Sequence, residues 1–381
     1  MYEIKEGINT QNTEKAWIVG INFSNKTRQG SAGKAEVNNH CDELASLLQT
    51  LGVETAGRSV FSVKKTSAAT LLGKGQAEEA ISSAADSDSS LIVFDDDLSP
   101  AQQKNLEELS NKRVIDRREV IINIFAERAK TKEASLQVEL AYNKYMLPRL
   151  TGAWKHLSRQ RGGHYGSKGS GETQIEIDRR NLRKKITTLK KELDNIEKQR
   201  QVKRKLRDNR EVFSCSIAGY TNAGKSTLLN ELTGANVSAK NRLFDTLDPV
   251  TRKLHLPGGK EIVITDTVGF IRKLPHQLIE AFKSTLEETL SADLVILLLD
   301  GSSKEVKSHY ETSMDVFKQI GLEKEKILVV FNKIDITADQ CEIPLFAKEH
   351  GDPLFISALN GKNIDKFLSE IEKRATAGAY D

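Results

Sequence analysis

The spacing of apolar positions changes character twice along the 381-residue chain. From Ala16 to Asp116, short apolar runs alternate with helical patterns. "AWIVGINF" (Ala16 to Phe23), "VETAGRSVFSV", "LIVFDD" and "RVID" read as strands. Between them, "AEVNNHCDELASLLQTLG" (Ala35 to Gly52), "QAEEAISSAAD" and "SPAQQKNLEELSN" space their apolar residues as amphipathic helices. Gly52 is placed to end the first helix, and Ser99 with Pro100 to open the third. Strands alternating with helices imply a parallel sheet covered on its faces.

The second part is helical throughout. Arg118 to Met146 contains no Gly or Pro and reads as one long helix stopping before Pro148. A glycine-rich segment, Leu150 to Glu172, follows. A helix then resumes, in which Leu182, Ile186, Leu189, Leu193 and Ile196 step by four and three residues, the seam of a coiled coil. Two long helices joined by a flexible loop predict an antiparallel hairpin. From about Glu211 the alternation returns, with strands in "EVFSCSIAG", "RKLHL", "EIVITDT", "DLVILLLDG", "ILVVFNKID" and "PLFISA". Helices are expected to begin near Lys225, Pro275, Val306, Gln340 and Gly361. The expected organisation is an N-terminal α/β subdomain (1–117), a helical hairpin (118–210) and a second α/β domain (211–381).

Composition narrows the class. The chain is 38% hydrophobic and 29% charged, as in a soluble globular protein. Its longest aliphatic run, Leu294 to Leu299, is too short to span a bilayer. The opening "MYEIKEGINT" lacks the basic-then-apolar build of a secretion signal. Cys41, Cys215 and Cys341 are too scattered for a disulfide framework or a CxxC metal site. The expected address is the cytoplasm, with peripheral attachment to a membrane left open. Net charge is +4, yet Arg149 to Arg210 holds 19 Lys and Arg against 7 Asp and Glu. That segment's +12 leaves −8 for the rest, so the hairpin is the part suited to a polyanion. Its loop carries Trp154, His156, His164 and Tyr165, side chains that stack on unpaired RNA bases. A plain spacer with a solvated charged face is the alternative.

The chemistry is concentrated in the last domain. "GYTNAGKST" (Gly219 to Thr227) has the GxxxxGK[ST] spacing that wraps backbone N–H groups around a phosphate chain at a helix N-terminus. Gly219 and Gly224 permit the turn, Lys225 reaches the terminal phosphates, and Ser226 is suited to ligate Mg²⁺. "DTVG" (Asp266, Thr267, Val268, Gly269) ends a strand, with Asp266 beside the metal and the Gly269 N–H beside a γ-phosphate. "NKID" (Asn332, Lys333, Ile334, Asp335) ends another. Asp335 can accept from guanine N1–H and its 2-amino group, whereas adenine would leave that carboxylate unpaired. Asn332 and Lys333 would frame the base, with the Lys333 stem along the ring. "ISA" (Ile356 to Ala358) offers backbone N–H groups to the guanine carbonyl. Such motifs, each at the carboxyl end of a strand, fit the ligand site of an open α/β sheet. Between the phosphate loop and Asp266, Thr246 and Thr251 are candidate switch threonines; Thr251 lies in the next strand, which favours Thr246 as a Mg²⁺ ligand. Phe270 stands where many GTPases carry a water-orienting glutamine, so unaided hydrolysis should be slow.

Six segments together carry a family resemblance: "LIVFDDDLSPAQQKNLEE", "VIDRREVIINIFAERAKTKEASLQVELAYNKYMLPRLTG", "GSGETQIEIDRR", "GYTNAGKSTLLNELT", "LFDTLDPVTRKL" and "TDTVGFIRKLPHQLIEAFKSTLEE". From about Ala16 onward the chain resembles the HflX family of translational GTPases. The resemblance implies an α/β subdomain and helical hairpin preceding a P-loop GTPase domain. It also implies GTP as substrate, GDP as product, Mg²⁺ as cofactor, and the large (50S) ribosomal subunit and its RNA as partners, with the chain expected to act as a monomer. Its members separate stalled or idle ribosomes, with the hairpin tip near the peptidyl transferase centre. By the resemblance the nucleotide site comprises Gly219, Tyr220, Thr221, Asn222, Ala223, Gly224, Lys225, Ser226 and Thr227. The switch is Phe244, Asp245, Thr246, Leu247 and Asp248, and the base site is Asn332 to Asp335 with Ser357 and Ala358. Catalysis would rest on Lys225, Thr246 and Gly269, and the metal on Ser226 and Thr246. The family's hairpin loop usually reads Arg-Gly-Pro-Gly-Glu; here Lys168, Gly169, Ser170, Gly171 and Glu172 stand there, and Asp95 to Asp97 replace expected asparagines. Two other readings compete with a ribosome-activated GTPase. One is a nucleotide-switched RNA-binding module with negligible turnover. The other is an ATP-driven remodeller using "GKG" at Gly73 to Gly75.

Overall fold

The computed structural model describes residues 14–23, 31–150, 170–208, 212–235, 243–244, 249–273, 275, 278, 289–336 and 352–377. Expectations for the basic loop tip, for Asp245 to Asp248 and for the helices near Pro275 and Gln340 fall outside them. The chain divides into two compact units: Met1–Glu127 with Leu136–Glu192, and Arg128–Ser135 with Leu193–Asp381.

The first unit is built on four parallel strands, β1 (Lys15–Phe23), β2 (Glu54–Val63), β3 (Leu91–Phe94) and β4 (Arg113–Asp116), in the order β2-β1-β3-β4. Helices α1 (Ser31–Thr50), α2 (Lys74–Asp86) and α3 (Pro100–Ser110) make the crossovers. Val19, Ile21, Ile92, Phe94 and Val114 of the sheet pack with Ala77, Ala80 and Ala84 of α2 and Leu106 of α3. The alanines bring α2 close to the strands, and Gly73 to Gly75 form the start of that helix. α3 opens as the sequence indicates: the Ser99 hydroxyl accepts from the Gln102 N–H, and the Gln102 side chain accepts from the Ser99 N–H.

At the carboxyl end of β4 the Asp116 carboxylate is fully buried. It accepts from the N–H groups of Leu98 and Glu119, from Arg118 (2.8 Å) and from Arg149 (3.3 Å). Arg149 lies 3.6 Å from the Tyr145 ring centroid, so the end of the hairpin's first arm is tied into the sheet. Burial and the carboxylates of Glu119 and Asp116 hold the Tyr145 phenol well above its ordinary value, so its hydroxyl stays a donor to both.

The stretch read as one helix from Arg118 to Met146 is two, α4 (Arg117–Arg128) and α5 (Lys132–Met146). The break needs no Gly or Pro: the Thr131 hydroxyl accepts from the Ala134 N–H and starts a new helix. α6 (Ser170–Asp208) then runs for 39 residues. Leu189 of the expected seam is buried, and Leu182, Ile186, Leu193 and Ile196 are half-buried. Lys185 pairs with Glu139 of α5 at 2.5 Å.

The second unit holds six strands: β5 (Ser214–Gly219), β6 (Val250–His255), β7 (Glu261–Asp266), β8 (Leu294–Asp300), β9 (Ile327–Asn332) and β10 (Leu354–Phe355). Their order is β10-β9-β8-β5-β7-β6. β8 and β9 are apolar almost without interruption, as strands covered on both faces must be. All pairs are parallel except β6 with β7, which the alternation of elements does not foretell. Leu256 to Lys260 forms a tight turn in which the Gly259 N–H donates to Leu256 O, leaving no room for a crossover. Helices α7 (Lys225–Thr233), α8 (Val306–Ile320) and α9 (Ile364–Ala377) belong to this unit. A mixed α/β fold with a P-loop domain is thus what the chain adopts, as expected.

Candidate nucleotide site

β5 ends at Gly219 and α7 begins at Lys225, so the loop between them presents a helix N-terminus at the carboxyl edge of the sheet, where ligands bind in open α/β folds. Gly219 passes so close to β8 that a Cβ there would lie 2.2 Å from Leu298 O. Gly224 has φ +96°, a conformation that side chains disfavour, and a Cβ there would meet Asn332 Nδ2 at 2.3 Å. The Lys225 ammonium curls back over the loop, donating to Tyr220 O (2.9 Å) and Gly219 O (3.3 Å). Burial lowers its pKa to about 8, against the opposing pull of Asp266.

The structure places the other sequence-predicted residues around this loop. Ser226 Oγ donates to Asp266 Oδ2 at 2.7 Å, so a hydroxyl and a carboxylate sit together beside α7. Both are hard oxygen donors, the chemistry that suits Mg²⁺ sharing its shell with phosphate oxygens and water. Thr267 prolongs the β5–β7 contact by donating to Ile217 O from both N–H (3.2 Å) and hydroxyl (2.8 Å). Gly269 lies against Lys225: a Cβ added to it would stand 2.9 Å from Nζ. Thr227 is half-buried in α7, Val268 is buried, and Asn222 adopts φ +61° at the loop's outer turn. Phe244, the one described member of the predicted switch, is buried with φ +58°.

Phe270 is bound by its backbone to the phosphate loop. Its N–H donates to Gly219 O (2.9 Å), and its carbonyl accepts from Thr221 N–H (2.8 Å). Its ring, 2% exposed, meets Phe317 of α8 edge-on at 5.4 Å. Nearby, the Arg272 N–H donates to Tyr220 Oη, Tyr220 stacks on His309 at 3.9 Å, and Arg272 forks onto Glu305 (3.1 and 3.3 Å). That second set of contacts between Tyr220 and α8 has no sequence motif.

The base-site residues form a second knot. Asn332 Nδ2 donates to Ala223 O, and its Oδ1 accepts from Ala358 N–H, both at 2.9 Å. One buried amide thus joins phosphate loop, β9 and the loop after β10. Ser357 Oγ donates to Asp335 Oδ1 at 2.6 Å and orients that exposed carboxylate. The N–H groups offered to a guanine carbonyl already have acceptors, Ala358 on Asn332 and Ser357 on Lys362 O (3.1 Å), so a guanine oxygen would share them. Ile334 N–H reaches Ile356 O at 3.3 Å. Lys333 ends at Asp300, 2.7 Å away; Asp300 lies outside the four motifs, although an Asp closing an apolar strand is a signal of its own.

Three family models match in succession: GTP-binding GTPase N-terminal over residues 38–126, GTP-binding GTPase Middle Region over 128–207, and 50S ribosome-binding GTPase over 214–333. The chain is 44% identical over 347 residues to the GTPase HflX of Akkermansia muciniphila, covering 89% of this chain and 78% of that protein. Against the GTPase HflX of Escherichia coli K12 it is 41% identical over 334 residues, covering 87% and 77%. The chain belongs to the HflX family of GTPases. The activity of an HflX-family protein is GTP hydrolysis, as its motifs indicate. Among solved structures, a GTP-binding protein from Sulfolobus solfataricus in complex with GDP aligns over 96% of this chain and 99% of its own, at TM-score 0.48 and 25% identity. No described helix is long and apolar enough to cross a membrane.

Proposed function

We propose that this HflX-family GTPase docks on the large ribosomal subunit and uses its nucleotide cycle to separate the subunits of stalled or idle ribosomes. The observation that carries the reading is the match of residues 214–333 to the family described as 50S ribosome-binding GTPase. The charge on α6 supports an RNA partner. Arg180, Lys184, Lys191 and Lys198 are exposed and recur at steps of four and seven residues, which puts them on one stripe of the helix.

In this reading Gly219 to Thr227 wraps the phosphates, Lys225 neutralises their terminal charge, and the Gly269 N–H faces the γ-phosphate. Asp335 reads guanine, with Lys333 along the ring. Ser226 and Thr246 would hold Mg²⁺, with Asp266 beside them. The bound ion supplies positive charge to the phosphate oxygens during transfer. The buried Phe270 ring has no polar atom to orient water, which supports slow turnover until a group from outside the chain completes the site.

The same observation favours a second reading, a nucleotide-switched RNA-binding module with negligible turnover. Multiple-turnover GTP hydrolysis with and without large subunits separates the two: stimulation supports the enzyme, and a flat response supports the module. The splitting step is tested by light scattering of intact ribosomes. The parent protein with GTP should lower the signal, and a variant whose residues 151–169 are replaced by a short glycine linker should leave it flat. Splitting by that variant at the parental rate would reduce the hairpin to a spacer.

A further inference from the structure

We infer that Asp300 is a positioning residue for the guanine site, acting through Lys333. The inference rests on the base-site reading above and extends it to a residue outside the four motifs. Asp300 is the last residue of β8 and stands in register with Asn332, the last of β9. The two strand ends are bonded there, since the Gly301 N–H donates to Asn332 O at 2.8 Å. Both oxygens of the Asp300 carboxylate are engaged. Oδ1 accepts from the Ser302 N–H (3.0 Å) and hydroxyl (2.6 Å), and Oδ2 takes the Lys333 ammonium at 2.7 Å. The carboxylate is therefore an anchor with little freedom of its own.

Lys333 needs such an anchor twice over. Its backbone has φ +64°, a region that non-glycine residues rarely occupy. Its side chain is three-quarters buried, and a stem that is to lie along a base must give up the rotamers a lysine otherwise samples. The ion pair fixes the ammonium in advance. The ordering cost then falls on folding rather than on binding, which is how preorganisation raises affinity. Lys333 belongs to the tetrapeptide read as the base site, and its ammonium is held by Asp300, which is in neither the phosphate loop nor the Asp266 to Gly269 motif, so its effect belongs to nucleotide binding and not to the transfer step.

The test compares the full-length parent with Asp300→Asn, Asp300→Glu, Lys333→Met, the Asp300→Asn/Lys333→Met double variant and Asp335→Asn. GDP dissociation constants are measured by calorimetry, and GTP turnover is measured as KM and kcat. Asp300→Asn keeps shape and the Ser302 contacts but loses the charge. It should weaken GDP and raise KM about tenfold, the scale of one long side chain's rotamer freedom, with kcat unchanged. Asp300→Glu should recover part of the loss. The double variant should be no weaker than Lys333→Met alone, because both changes remove one interaction. A parental dissociation constant for Asp300→Asn, additive losses in the double variant, or a fall in kcat matching the rise in KM would each overturn the assignment. Asp335→Asn reports on the underlying reading: if it leaves guanine preference intact the base site is misplaced, whereas a lost preference beside a parental Asp300→Asn removes the Asp300 role alone.

Discussion

Asn332 is the point at which to strain the second unit. Its amide is 3% exposed and bridges two backbone groups that are themselves buried, in Ala223 (0%) and Ala358 (2%). Asn332→Ala removes both bridges and leaves an orphaned carbonyl and an orphaned N–H. Each such group costs about 1–3 kcal/mol when water cannot replace the partner, so the variant should lose about 2–6 kcal/mol. That is a large fraction of the stability of an ordinary domain. Urea unfolding should show the loss as a lower midpoint at an unchanged slope. Hydrogen exchange read on the peptide around Ala358 should accelerate, and GDP binding should weaken at least tenfold because phosphate loop and base loop are no longer held in one frame. Asn332→Asp separates the two bridges. Its carboxylate can still accept from the Ala358 N–H but opposes the Ala223 carbonyl, acceptor to acceptor. The Ala358 peptide should then stay protected while GDP affinity falls. Parental midpoint and affinity in Asn332→Ala would refute the reasoning.

Other outcomes follow from the same geometry. Lys225, near 8 in the folded chain against an ordinary 10.5, binds fewer protons folded than unfolded between those values, so stability should rise as pH climbs through that window. A phosphate that restores the charge reverses the deficit: at about pH 9, calorimetry in two buffers should show GDP binding taking up more of a proton with the parent than with Lys225→Met, the guanine N1–H contributing equally to both; equal uptake would contradict the reading. Asp335→Asn should weaken guanine nucleotides and admit xanthine nucleotides, because the amide presents a donor to an oxygen; GDP binding at parental strength would contradict the base-site reading. Asp116→Ala should destabilise the first unit by about 3–5 kcal/mol, since it orphans the Leu98 and Glu119 N–H groups and removes the buried carboxylate that faces Arg118 and Arg149; an unchanged urea midpoint would show the network to be dispensable.

Much of this was legible in advance, and the limits have physical causes. The phosphate loop is local: two glycines, a lysine and a hydroxyl at fixed spacing meet their geometric needs within nine residues, so the sequence displays them. Strand identity was equally plain for β8 and β9, whose apolar runs are continuous. The partner of Lys333 was not visible, because it is set by the register between β8 and β9, 33 residues apart. The role of Asn332 was hidden likewise: the tetrapeptide suggests a residue facing the base, while its amide is occupied by two backbone groups from other loops. The break between α4 and α5 escaped notice because Thr131 competes through its hydroxyl and not through a helix-breaking backbone. The antiparallel β6 lay concealed in a turn, "PGGK", too short for the crossover that alternation implies.

The length of α6 has a mechanical consequence. Its 39 residues rise over about 58 Å. A hydrogen-bonded rod transmits angle rather than stretch. A tilt of about 10° at one end of a helix of this length displaces the other end by about 10 Å without breaking one of its hydrogen bonds. A large excursion of one end therefore needs no rearrangement within the helix itself. A long lever and a small pivot suffice.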